Sequence, residues 1–81
     1  MDLLNIENGK WVRVLAYKGG HNFEHKLRQM GLLPGQCARV VRHAPFGGPL
    51  LIEVHNRMLA LGRGVAARIE VEEAEPPCDS H

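Results

Sequence analysis

Apolar and polar side chains alternate in several short stretches of this chain, which is the pattern of half-buried β-strands. In the first stretch Val12, Val14 and Ala16 form one uniform apolar face, which we expect to point into the core. Similar stretches follow, separated by links that contain glycine or proline. The sequence therefore predicts five short strands, at residues 10–17, 36–43, 50–54, 57–61 and 67–71.

The segment between the first two predicted strands has helical spacing instead. Phe23, Leu27 and Met30 are separated by four and three residues, so they share one face of a helix. Asn22 is a suitable N-cap, and the predicted helix covers residues 23–30. A helix this short is stable only when its apolar face packs on the rest of the fold.

A glycine and a Pro-Gly pair end this helix and lead into the next strand. Gly31 stands where a helix end needs a positive φ, and Pro34-Gly35 predicts a type II turn. Leu32 and Leu33, which lie between them, are expected to fold back over the helix end. Both are also candidate partner-binding residues.

The remaining signals favour one small antiparallel domain. His55-Asn56 lies where a two-residue hairpin turn belongs, and no segment requires a parallel crossover. Closing the strands into a barrel removes unpaired strand edges and suits a thin core. We therefore expect a mainly β fold, a small five-stranded antiparallel barrel with a short helix inserted after the first strand. The domain covers residues 1–74, and the polar, proline-containing residues 75–81 form a disordered tail.

Length and composition narrow the class of protein. The 81 residues form one domain, and 10 basic against 9 acidic residues give a formal net charge of +1. This balance, with basic residues scattered along the chain, argues against nucleic-acid binding. No secretory leader and no apolar run of about 20 residues is visible, so we expect a cytoplasmic protein without direct membrane insertion. There, Cys37 and Cys78 are expected to remain reduced thiols, since a bond to the tail would be weak.

Residues 21–25 spell H-x-x-E-H, the spacing of one class of zinc peptidases. A peptidase needs a third ligand and a cleft around the metal, whereas we expect His21 and His25 on the solvent side of the helix. We therefore predict that the protein is not an enzyme and requires no cofactor. The two histidines can instead form a surface site for a divalent transition metal, iron or zinc, completed by water or another chain. The alternative is a pair of solvated histidines that bind nothing.

Phe46 lies in a loop, residues 44–49, that contains two prolines and two glycines. A large apolar side chain has little to pack against there. Either the ring folds down as a lid over the mouth of the barrel, or it is an exposed anchor for a binding partner.

Three segments taken together resemble the FeoA family. They read Leu-Arg-Gln-Met-Gly-Leu-Leu-Pro-Gly at 27–35, Ala-Pro-Phe-Gly-Gly-Pro at 44–49, and Leu-Ala-Leu with Ala-Ala-Arg-Ile-Glu-Val at 59–61 and 66–71. Each segment is weak alone, but their order and spacing match the family, and the likeness runs from Leu3 to Glu72. The resemblance implies an SH3-like barrel with a helix after the first strand, in agreement with the periodicity.

The resemblance also implies a function. It indicates a small bacterial cytosolic accessory or regulatory protein of ferrous iron uptake, which docks on FeoB, the membrane ferrous-iron transporter with a GTP-binding domain. Weak self-association is a further expectation. The alternative is a transition-metal-binding protein or metallochaperone that uses His21 and His25, which the family pattern does not supply as ligands. The chain departs from that pattern at Gly48, where aspartate is common, and at Asn56, where glycine is common.

Overall fold

A computed structural model describes residues 1–76 and residue 78 of the chain. A short 3-10 helix at Leu3–Asn5 precedes five strands and two helices. In chain order these are β1 (Trp11–Tyr17), α1 (His21–Gln29), β2 (Cys37–His43), β3 (Leu50–Val54), β4 (Arg57–Leu61), α2 (Arg63–Ala66) and β5 (Ile69–Ala74). The predicted five strands, with a helix after the first, are confirmed.

The strands form a single antiparallel sheet in the order β4-β3-β2-β1-β5. The predicted closure into a complete barrel is wrong, because β4 and β5 lie at opposite edges of this order rather than pairing with each other. The physical reason lies in the connection between them, where the single helical turn α2 leads from one edge strand to the other. The curled sheet therefore keeps two edges in the described part of the chain.

One side of the sheet carries the core, together with α1 and the residues near the N-terminus. Val12 and Val14 of β1 are buried there as predicted, but Ala16 is exposed. A register shift between Val14 and Ala16 in the pairing of β1 with β5 explains the difference, because it changes which residues face inward. Tyr17 then packs against the core in place of Ala16.

Helix α1 begins two residues earlier than predicted. Its N-cap is Gly20, and the structure shows no side-chain cap, so the assignment of Asn22 as N-cap is wrong. Phe23 approaches the chain so closely that a Cβ on Gly19 would lie 2.6 Å from the Phe23 ring. Gly19 therefore leaves the space that Phe23 needs to dock, in addition to following the end of β1.

The end of α1 has the geometry that the sequence predicts. The Leu32 amide donates to the Leu27 carbonyl at 3.0 Å and the Gly31 amide to the Arg28 carbonyl at 3.0 Å, with Gly31 at φ 87°. These two bonds define a Schellman motif, which requires a residue with positive φ. Gly35, at φ 90°, then completes the predicted type II turn.

The two cysteines are bonded to each other, so the prediction of reduced thiols is wrong for this structure. Cys37 at the start of β2 and Cys78 have Cα atoms 5.8 Å apart, within the range that a disulfide bridges. The sequence could not show that the chain after β5 returns to β2. Of the predicted disordered tail, residues 77 and 79–81 lie outside the described residues, and the boundary at residue 74 stays a prediction.

Candidate functional site

The loop that carries Phe46 is a tight turn held by backbone hydrogen bonds. The Gly48 amide donates to the Pro45 carbonyl at 3.2 Å, and the Ala44 amide to the Pro49 carbonyl at 3.0 Å. Phe46 and Gly47 both have positive φ, 61° and 72°, which is the backbone of a type I′ turn. We call residues 44–49 the Phe46 loop.

Phe46 is unusual in both its backbone and its surroundings. Positive φ is rare for a bulky residue and costs about 1–2 kcal/mol relative to the ordinary helical region. The side chain is 103% exposed, so no packing within the chain offsets this cost. The lid over the barrel mouth is therefore wrong, and the ring projects into solvent.

The structure separates the other two predicted partner-binding residues from Phe46. Leu32 is 0% exposed and belongs to the core, so its prediction as a contact residue is wrong; the Schellman motif turns it inward against the sheet. Leu33 is half-buried. Both precede β2 and Phe46 follows it, and seven extended residues span roughly 23 Å. These residues therefore do not form one patch.

Leu32 is also held by its backbone. Its carbonyl accepts a hydrogen bond from the hydroxyl of Tyr17, and the Arg28 guanidinium lies 6.0 Å from the centre of the Tyr17 ring. Burial raises the pKa of Tyr17, an effect opposed by Arg28 and reinforced by Glu24. The region around Leu32 is therefore a structural junction between β1 and the end of α1.

An apolar cleft between α1 and α2 was not predicted from the sequence. It has a volume of about 150 Å³, and its walls include Phe23, Met30, Leu61 and Val65. The α1 face packs on the rest of the fold as expected, but Phe23 and Met30 are only partly buried. The sequence spacing correctly placed Phe23 and Met30 on one face of the helix. How much of that face stays exposed depends on the distance between α1 and α2, which the spacing does not determine.

The Phe46 loop lies beside the helix that forms one wall of this cleft. A Cβ on Gly47 would be 4.0 Å from Cδ of Arg63, the first residue of α2. Val65, two residues further along, lines the cleft. An exposed aromatic ring and an open apolar cleft thus flank one short helix.

His21 and His25 lie four residues apart in α1, and both are exposed. His21 is the first residue of the helix rather than a residue outside it, so the two side chains share one face. Among residues 1–76 and 78, no three His, Cys, Asp or Glu side chains are grouped as a metal site requires. The H-x-x-E-H spacing therefore has no third protein ligand in the described chain.

The features of the described chain define a class of fold. They are a small antiparallel sheet of five strands, one helix inserted after the first strand and a single helical turn before the last. No helix in the described chain is long and apolar enough to span a bilayer.

The comparisons with known proteins identify the family. The model of the FeoA domain matches residues 1–73, and the chain belongs to the FeoA family, whose members are accessory proteins of ferrous iron transport. A protein of Methanocaldococcus jannaschii named "Putative Fe(2+) transport protein A" is 33% identical over 69 residues, which cover 85% of this chain and 82% of the relative.

Solved structures agree with this assignment. The crystal structure of an iron uptake regulatory protein, FeoA, has a TM-score of 0.84 and 35% identity, covering 91% of this chain and 97% of that one. FeoA of Stenotrophomonas maltophilia, solved with zinc and described as a procaryotic SH3 domain protein, has a TM-score of 0.75 and 28% identity, covering 89% of each chain. The mainly β, SH3-like fold predicted from the sequence is therefore confirmed, apart from the closure of the sheet.

Proposed function

We propose that this protein is a cytoplasmic accessory or regulatory protein that docks, without catalysing a reaction, on an FeoB-type membrane ferrous-iron transporter. Its family supports the context of iron transport. A role as a ferrous iron transport activating factor has been suggested for the S. maltophilia relative, which supports a transporter partner. The observation that carries the proposal is Phe46, an aromatic ring held in solvent on a strained backbone.

The energetics of Phe46 favour binding over folding. Moving a Phe side chain from water into an apolar site contributes about 1.5–3 kcal/mol, and this chain gains none of it because the ring is fully exposed. The positive φ adds a cost that a replacement such as glycine would avoid. A partner pocket that covers the ring would recover the burial energy, as aromatic anchors do at the centres of interfaces.

The surroundings of the ring extend the proposed surface. The Phe46 loop lies beside α2, and the cleft between α1 and α2 has room for an apolar side chain of the partner. Lys26 lies at the cleft and provides a positive charge at its rim. The partner surface that fits is therefore apolar, with a pocket for Phe46 and a projecting side chain for the cleft.

Co-purification with the cytoplasmic region of the FeoB-type transporter from the same organism tests the proposal. The variant Phe46→Asp should reduce association at least about tenfold, which corresponds to the burial of one aromatic side chain. Met58→Asp is the matched control, because Met58 is also an exposed apolar residue, 54% exposed, but lies on β4. Aspartate tolerates positive φ better than phenylalanine, so Phe46→Asp should fold normally.

Two outcomes contradict the proposal in different ways. Unchanged association of Phe46→Asp would show that Phe46 is not part of the docking surface, although the transporter would still be the partner. If the wild-type chain does not associate with a folded, nucleotide-bound transporter region, the transporter itself is excluded as the partner.

A second candidate function is the binding of a divalent transition metal by His21 and His25. The observation that favours it is their placement on one exposed face, one turn apart in α1. Imidazole nitrogens suit zinc and iron, but two protein ligands leave the coordination shell incomplete. The site would therefore need water or a second copy of the chain to complete it, which links metal binding to weak self-association.

Titration with Zn²⁺ and Fe²⁺, followed by gel filtration, decides this question. The double variant His21→Ala/His25→Ala should lose binding and any metal-dependent dimer, whereas His55→Asn should behave as the wild type. His55 is the matched control because it is exposed in the β3–β4 turn, where asparagine also accepts its φ of 51°. Equal affinity of the wild type and the double variant would exclude this site.

A further inference from the structure

Cys37 lies on the outer face of the sheet and yet is almost inaccessible. Strand pairing places Arg13 opposite Cys37 and Trp11 opposite Arg39, and paired residues share a face. The alternate positions, such as Val12 and Ala38, are buried in the core on the other face. Cys37 is nevertheless only 4% exposed. Something outside the core must therefore cover it.

The cover comes from Cys78, which follows β5 in the sequence. β5 ends at Ala74, which pairs with Trp11 of β1, and β1 lies between β5 and β2 in the sheet. Cys78 is bonded to Cys37 of β2, so Cys78 lies on the outer face of the sheet, on the other side of β1 from Ala74. We call Glu75, Pro76 and Cys78 the chain end, and the disulfide fixes its Cys78 at this position.

Trp11 is paired with Ala74 and also lies beside Cys78. It lines a cavity of about 200 Å³ together with both cysteines, Glu53 and His55. It also lines a second cavity beside Ala74 and its neighbours. Trp11 is the only tryptophan in the sequence and is half-buried, so its environment reports directly on whether the chain end is in place.

The core does not depend on this bond. The cluster of buried side chains that unites the sheet, α1 and the N-terminal residues contains neither cysteine. The pairing of β1 with β5 runs from Tyr17 opposite Ile69 to Trp11 opposite Ala74, so it is complete at Ala74, before Cys78. Loss of the disulfide should therefore release the chain end and leave the sheet intact.

We propose that Cys37 and Cys78 form a redox-controlled latch, which holds the chain end beside Trp11 when oxidised and releases it when reduced. A thiolate of a dithiol reductant attacks Sγ of Cys78, the more accessible sulfur, and the bond to Sγ of Cys37 breaks. The second thiol of the reductant then closes on the first, which releases Cys78. Both protein sulfurs end as thiols, and the reductant ends as an intramolecular disulfide after giving two electrons and two protons.

The latch has a clear physical consequence for the surface. Reduction uncovers the outer face of β1 and β2 around Trp11, a face separate from the proposed docking surface at α2. Inside a cell the proposed cytoplasmic location would favour the open state, and oxidation would close it, as is typical of transient disulfides in reducing compartments. This last point alone depends on the proposed function.

Tryptophan fluorescence of the full chain tests the latch, with dithiothreitol as reductant and oxidised glutathione as oxidant. Reduction should raise the emission intensity and shift it to longer wavelength, because Trp11 loses a neighbouring disulfide, which quenches it, and gains water. Alkylation with iodoacetamide should label no cysteine in the oxidised chain and both in the reduced chain. Hydrogen exchange at the Glu75 amide should become faster on reduction.

Cys78→Ser is the matched control. It should show the fluorescence of the reduced wild type under both conditions, with unchanged far-ultraviolet circular dichroism. Failure of the wild type to lose its free thiols with oxidised glutathione would overturn the proposal, since no latch would form. Collapse of the circular dichroism signal in both the reduced wild type and Cys78→Ser would also overturn it, because the bond would then be a structural requirement of the fold.

Discussion

Two segments of this chain have similar composition and opposite roles. The end of α1 and its turn, residues 27–35, and the Phe46 loop, residues 44–49, both place large apolar side chains next to glycine and proline. In the first, the glycine takes the positive φ and Leu32 becomes fully buried. In the second, the aromatic residue itself takes the positive φ and is fully exposed.

The difference shows that the conformational cost of a positive φ distinguishes a residue that stabilises the fold from one that does not. Gly31 satisfies the helix end at no steric cost, and the following leucine adds to the core. Phe46 has a backbone conformation that disfavours it and makes no contact that offsets the cost. A residue that weakens its own fold in this way is a reasonable candidate for a binding role.

The largest expected effect lies in the first segment. Leu32→Ala should lower the free energy of unfolding by about 2–5 kcal/mol, because it removes a fully buried side chain and leaves a cavity. Urea denaturation measures this value. Leu15→Ala is the control, since Leu15 is 45% exposed and should change stability by less than about 0.5 kcal/mol. Similar values for both variants would contradict the burial of Leu32.

Gly31→Ala should be next in size, with a loss of about 1–2 kcal/mol from the positive φ alone. A Cβ there would also lie 2.5 Å from Nη2 of Arg57, which donates to the Met30 carbonyl at 2.9 Å, so the arginine must move. Thermal unfolding measures the loss. Gly64→Ala in α2 is the control, because nothing lies within 4 Å of its Cβ and its φ is not positive. A Gly31→Ala protein as stable as Gly64→Ala would refute the Schellman motif.

Tyr17→Phe should cost about 0.5–1.5 kcal/mol at neutral pH, because it removes the hydrogen bond to the Leu32 carbonyl. The effect should depend on pH. Burial raises the pKa of Tyr17 in the folded state above its ordinary value of 10.0. Its contribution to stability is therefore complete below that value and is lost as pH rises through the folded pKa.

The measurement for Tyr17 is the free energy of unfolding between neutral pH and the onset of alkaline denaturation. The wild type should lose stability more steeply than Tyr17→Phe in the alkaline range, so that the two curves converge. Parallel curves would show that the hydroxyl titrates equally in the folded and unfolded states.

The smallest expected effect lies in the Phe46 loop and has the opposite sign. Phe46→Gly should raise the free energy of unfolding by up to about 1 kcal/mol, because glycine accepts positive φ and no packing is lost. Phe46→Ala, which removes the ring but keeps the strained backbone, should give no such gain. A clear loss of stability in Phe46→Gly would mean that the ring packs on the fold.

Local pattern was sufficient for most of the fold. Alternation located the strands, and the spacing of Phe23, Leu27 and Met30 located α1, since both periods follow from backbone geometry. Gly31 and the Pro-Gly pair predicted the helix end and the turn, because few residues accept positive φ. The resemblance based on residues 27–35, 44–49, 59–61 and 66–71 was sufficient for the family.

The features that were wrong or missed depend on contacts between segments distant in sequence. Burial of Leu32 requires a sheet to pack against, the shifted register after Val14 requires β5, and the open cleft depends on the distance between α1 and α2. The bond between Cys37 and Cys78 joins residues 41 positions apart, which no local rule brings together. The periodicity of side chains and the residue preferences of turns act over a few residues, so they can be inferred from the sequence. Which segment covers each surface depends on contacts between distant segments, so only the tertiary structure determines it.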